Sequence, residues 1–167
     1  MNSRLALPAL LFLLGSVPAT AQDVSEPTHA QPKLSTQPLT IISHGGVRHQ
    51  FTVELARTPR EQQVGLMFRT SIPASSGMLF IWPTVQESAM WMENCPVPED
   101  MLFVGPDGVI RSIAEDTVPE SLAQISSGGP VRATIELQGG ITAKLDIRVG
   151  DRIENKAFDQ ATQTQQG

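Results

Sequence analysis

Arg60, Arg69, Trp91, Glu93, Asn94 and Asp100 are the side chains of this sequence best placed to hold a ligand. Each arginine carries a planar fork that can hold an anion by two parallel hydrogen bonds. Glu93, Asn94 and Asp100 share one irregular segment with Trp91 beside them. If that segment packs near the helix expected to carry the arginines, the six would form a pocket for a small polar or anionic molecule. The competing structural account, which weighs more, has Glu61 capping its own helix, Arg69 tying down a carbonyl or carboxylate, and Asn94 supporting a turn.

Other constellations are weaker. Glu93 with Asp100, or Glu93 with Glu136, could act as a carboxylate pair in glycoside hydrolysis. That chemistry needs separations of about 5–5.5 Å or about 6.5–9.5 Å. Cys95 as a nucleophile needs a base in reach, and the only candidates are His29, His44 and His49. No thiol-hydrolase signature surrounds it, so a semi-buried thiol beside Pro96 is expected. Met90, Met92 and Cys95 are soft donors that would suit Cu(I). Met67 and Met78 sit at core positions, however, and methionines filling gaps in a core with few aromatics explain the cluster more simply. Two histidines do not make a zinc site, and no glycine-rich loop has a phosphate-binding fingerprint. No cofactor and no metal is therefore expected.

These residues need a scaffold, and the composition says which kind. The chain has 167 residues, 17% charged, with 13 Gly and 13 Pro. Charge this low and turn formers this frequent favour a β protein over a helical bundle. A net charge of −5 leaves no electrostatic footprint for nucleic acid. Residues 1–21 read as a signal peptide: Arg4, an apolar run over Leu5–Val17, then Ala19-Thr20-Ala21 before the cleavage point. Export to the periplasm or the exterior is expected, with no membrane-spanning segment after cleavage. Residues 22–37 read as a flexible leader and 155–167 as a polar, disordered tail. The remaining stretch, 38–154, suits one domain of about 117 residues.

Within it, His49–Ala56 alternates as a half-buried strand. Thr58-Pro59-Arg60-Glu61 then opens a helix with a capping box, expected to run to about Arg69. Gly65 inside that helix suggests close approach of another backbone. Met78–Trp82 reads as a strand halted by Pro83, and Ala89–Met92 as a second short run. Asp100–Val104 and Val109–Glu115 read as a hairpin around Gly105-Pro106-Asp107-Gly108. Ser126–Pro130 reads as a loop, Val131–Leu137 as a strand, Ile141–Leu145 as a short helical turn and Arg152–Glu154 as a last strand. The sum is a compact antiparallel β-sandwich or barrel, jelly-roll-like, with one helix near 59–69.

The ordered motifs G-L-M-F-R at Gly65–Arg69, G-M-L-F at Gly77–Phe80, W-M-E-N at Trp91–Asn94, D-M-L-F at Asp100–Phe103, D-G at Asp107-Gly108 and V-G-D at Val149–Asp151 resemble the domain of unknown function 192 family. The resemblance spans about Phe51–Ile153 and implies a small, mostly β domain with no assigned activity. It also exposes departures. Where the family reads W-M-K-N-T and then I-P-L-D, this chain has Glu93 for Lys, Cys95 for Thr and Glu99 for Leu. The resulting expectation is an exported, monomeric binding or accessory module without chemical turnover, for a small polar ligand or a cell-envelope partner. Alternatives are a carboxylate-dependent hydrolase, a Met/Cys copper binder, and an interaction module docking through Trp91.

Overall fold

Strand β2, Arg48–Ala56, buries Phe51, Val53 and Leu55 on one face as its alternation requires; on the other face Thr52 is exposed but Glu54 is buried. The computed structural model describes residues 25–158. The expected signal peptide and residues 159–167 of the expected tail lie outside the described residues. Beside β2 runs β1, Thr36–Ile42, with Leu39 opposite Phe51. This strand begins inside the expected leader. Pro38 fits in this strand because β7 (Arg152–Glu154) pairs with β1 only at Thr40–Ile42, so the missing N–H is not needed. Two further leader groups are tied to the domain: the Gln31 amide donates to the carbonyls of Glu61 and Gly65, and the Leu34 N–H to Glu54.

Helix α1, Pro59–Val64, follows β2 and has the expected start: the Thr58 hydroxyl accepts from the Glu61 N–H, and the Glu61 carboxylate accepts from the Thr58 and Arg57 N–H groups. Those backbone donors, Thr58's first, hold the Glu61 carboxyl below its usual range. The helix stops well short of Arg69. Gly65 has φ +48, and a Cβ there would lie 3.1 Å from the Phe80 ring, so the close approach is by an aromatic side chain. Thr58→Ala should cost about 1 kcal/mol in a urea titration, with an unchanged slope; no loss would mean the box is not formed in solution.

Strand β3, Ser76–Met90, lies parallel to β2 and is longer than expected. Pro83 does not end it, because the ladder with β6 (Ile125–Gln138) skips between Ile81 and Gln86 and leaves Pro83 unpaired. The expected loop Ser126–Pro130 is likewise absorbed into β6, where Glu87 faces Pro130 and Ala89 faces Ser126. Strands β4 (Glu99–Val104) and β5 (Ile110–Ala114) form the expected hairpin. A second helix, α2, covers Ile141–Leu145.

The seven strands form one sheet in the order β5-β4-β6-β3-β2-β1-β7. It curls until its edges meet: the Ile110 N–H donates to Asp151, the Gly150 N–H to Ile110 and the Ile153 N–H to Gly108. The result is a half-barrel, mostly β as expected. Its larger core joins Leu39, Val53, Leu79, Leu102, Ile135 and their neighbours, capped by Ile141 and Phe158. The latter residue is buried although it lies in the expected tail. On the other face of the sheet, Met101 and Phe103 pack with Val64, Met67, Met92 and Cys95, and Met78 and Phe80 with Leu66 and Ile72.

Candidate functional site

Strict alternation decides what each charged residue of β4 and β6 meets. Leu102, Val104, Ile135 and Leu137 enter the larger core, which sends Met101, Phe103 and Glu136 to the other face. Glu136 lies opposite Met101 on one side and Met78 on the other. Glu99, two residues before Met101, is its diagonal neighbour. Gly77 allows this strand packing, because a Cβ there would lie 2.3 Å from the Glu136 carbonyl oxygen.

Above this face, α1 with Gly65–Met67 and the segment around Trp91–Cys95 leave a cavity of about 260 Å³. Met67, Phe80, Trp82, Met90 and Trp91 form its walls, Gln62 and Gln63 contribute polar lining from α1, and Cys95 and the strand residue Glu136 complete the lining. The Phe80 and Trp82 rings stack with centroids 6.1 Å apart, and the Trp82 indole N–H is buried without an acceptor. Trp91 is 47% exposed.

The electrostatics of the cavity base are those of desolvated acids. Burial pushes Glu99 up to about 7, with hydrogen bonding from Cys95 and Glu136 pulling the other way. Burial and then the charge of Glu99 carry Glu136 well above the usual carboxylate range. The three groups sense one another, yet neither Glu99 oxygen has a hydrogen bond of ordinary geometry. Burial first, and these carboxylates second, also raise Cys95 strongly, so it stays a thiol at neutral pH. A thiol held protonated is a poor nucleophile.

Of the six expected ligand residues, only Trp91 lines this cavity. Arg60 bonds the Ser25 carbonyl and the Gln63 side chain. Arg69 makes a two-pronged pair with Glu54, at 3.2 and 3.1 Å, which is the structural role weighed against ligand binding. Asn94 has φ 56; its carbonyl accepts from the Phe68 N–H and its amide faces the Met67 sulfur at 3.9 Å. Glu93 is half-buried and outside the cavity lining.

Asp100 belongs to the far side of the sheet. Its Oδ1 accepts from the Asp116 and Gly140 N–H groups, and its Oδ2 from the Thr142 N–H and hydroxyl. A carboxylate spent on four donors in a buried cap does not form a reactive pair with Glu93, so that hydrolytic pairing is not assembled. Among the metal candidates, Met90 and Cys95 line the cavity, but the Met92 sulfur is buried and accepts from the Thr117 hydroxyl at 3.1 Å. Among the described residues no group of three or more His, Cys, Asp and Glu is placed to hold a metal.

The acid pair Glu99–Glu136 is the feature the sequence did not reveal. Glu136 alternates with Ile135 and Leu137 and so reads as a solvent-facing residue. The one signal at Glu99 was its place in a position where leucine is usual.

The profile of the DUF192 family (uncharacterized ACR) matches residues 40–155. Two solved structures share the fold. One is a protein from Sinorhizobium meliloti 1021 described as a candidate transcription regulator, with TM-score 0.74 and 38% identity, covering 77% of this chain and 99% of its own. The other is a protein of unknown function from Novosphingobium aromaticivorans DSM 12444, with TM-score 0.72 and 36% identity, covering 84% of this chain and 100% of its own. Among curated proteins none matches the chain.

Proposed function

The chain belongs to the DUF192 family, and from that premise we propose that it is a binding module without chemical turnover, taking a small molecule with an apolar body into the cavity between α1 and β3. The observation that carries this is the cavity's make-up: aromatic and thioether walls above one buried carboxyl. Few, well-placed polar groups among apolar ones are what small-molecule sites offer. Binding is favoured over hydrolysis because Glu136 alone of its pair lines the cavity, and Cys95 is held as a thiol. The net charge of −5 argues against direct contact with nucleic acid. The transcription-regulator description of the Sinorhizobium protein therefore fits this chain only as a ligand-sensing part. Export to the periplasm or exterior rests on residues 1–21 alone. Among the described residues no helix is long and apolar enough to cross a membrane.

A second reading has its own observation: Met67, Met90 and Cys95 all line the cavity, and three sulfurs suit Cu(I). One thermal-shift panel tests both, with amines, alcohols, sugars, amino acids and Cu(I) under reducing conditions. We expect at least one organic compound to raise the melting temperature by several degrees at about 100 times its Kd, and Trp91→Ala to weaken it. A shift with Cu(I) alone would select the metal reading, and flat curves throughout would end both.

A further inference from the structure

We propose that the cavity's occupant carries a cationic amine, seated against Glu136 with its apolar body between Phe80, Trp82 and Trp91. This rests on the binding reading above and names the chemical class it takes. Glu136 is 4% exposed and lines the cavity, and Glu99 beside it is fully buried with both oxygens unpartnered.

Among the described residues the ion pairs engage other carboxylates: Glu54, Asp107, Asp146, Asp151 and Glu154. The two acids under the cavity therefore have no cationic partner among the described residues. The groups facing them do not supply one. Cys95 is neutral, the Arg69–Glu54 pair is already balanced, and α1 presents Gln62 and Gln63 while Arg60 is turned to Gln63 and Ser25. Burying acids without a counter-charge is costly, and a bound cation offsets that cost. Aromatic faces add attraction for a cation and none for an anion, with tryptophan the strongest.

The proton balance follows. The amine enters as an ammonium ion, and where the acid pair still holds a proton in the empty site, that proton passes to solvent as the ion pair forms. Affinity should therefore rise with pH for as long as the amine remains charged.

Isothermal titration of the whole chain with benzylamine, benzyl alcohol and benzoate separates the possibilities, since the three are similar in shape and differ in charge. We expect benzylamine to bind about tenfold tighter than benzyl alcohol at pH 8, to gain affinity from pH 5 to pH 8, and benzoate to bind weakest. Glu136→Gln, which keeps the size of the side chain and removes its capacity for charge, should fold and should bring the amine's affinity down to that of the alcohol. Glu99→Gln should reduce the pH dependence. Alcohol binding as tightly as amine, or the preference surviving in Glu136→Gln, overturns the cation assignment and leaves the cavity reading intact. Binding by none of the three overturns both.

Discussion

Glu99→Leu is expected to stabilise the protein at neutral pH by about 2–3 kcal/mol, or roughly 10 °C in melting temperature. Glu99 is wholly buried, its oxygens lack partners, and burial lifts its carboxyl from 4.5 to about 7. Between those values the folded protein holds a proton that the unfolded chain has released. Stability is therefore fullest below about pH 4.5 and declines as pH rises through about 7, by about 3 kcal/mol from this group. Glu136, raised in the same direction, prolongs the decline to higher pH. Leucine removes the first part and relieves Glu136 of a neighbouring charge. It is also the residue usual at this place in the family, so the surrounding geometry should accept it. Urea denaturation at pH 5 and pH 8 checks this. The parent protein should weaken between the two and the variant much less. An unchanged slope, or a less stable variant at pH 8, would show that the acid is satisfied in the folded state.

The largest loss is expected at Asp100. Alanine there strands four donors, three of them backbone N–H groups that fasten the Asp116 turn and the start of α2 to β4. Each unmet buried donor costs about 1–3 kcal/mol, and water entering the gap recovers part, so a total on the order of 4 kcal/mol is expected. Asparagine should lose about half of that. It can still accept at one position from Asp116 and Gly140, but its amide cannot accept from Thr142. Hydrogen exchange should show α2 opening before the sheet in both variants. A loss under 1 kcal/mol for alanine would return Asp100 to the pool of functional candidates.

The two predictions concern adjacent residues on one strand, and they show where a sequence stops being informative. The β-rich class, the capping box at Thr58 and Glu61, the hairpin at Gly105–Gly108 and the last strand at Arg152–Glu154 are all local events, and each was legible. Propensity, spacing and turn chemistry act over a few residues, so the order of residues carries them. The structural roles of Arg69 and Asn94 were legible as types of contact, although their partners were not. Local rules misled where pairing overrode them. Pro83 and the Gly128-Gly129-Pro130 stretch looked like breaks, but a strand can run through such residues when its partner skips register. Helix α1 lost its second half because Gly65 turns left-handed against Phe80, a residue in another element.

The candidate site lay beyond local rules altogether. Arg60, Arg69, Asn94 and Asp100 were chosen for the chemistry of their side chains, and each is occupied by a neighbour the sequence places far away. Glu99 and Glu136 are separated along the chain, and nothing near either says that both lie on the covered side of the sheet.

By itself the sequence determined that Glu99 and Asp100 are neighbours and that a strand begins about there; the structure starts that strand at Glu99, so the two side chains point in opposite directions. Only the tertiary structure decided what each direction meant. On one side, backbone donors from α2 and the Asp116 turn surround a carboxylate and satisfy it. On the other, apolar side chains from α1 and the Trp91–Cys95 segment exclude water from a carboxyl group and leave it unpaired. The physical reason is that a carboxyl group's charge state depends on desolvation and on its hydrogen-bond partners, and here both are supplied by residues remote along the chain.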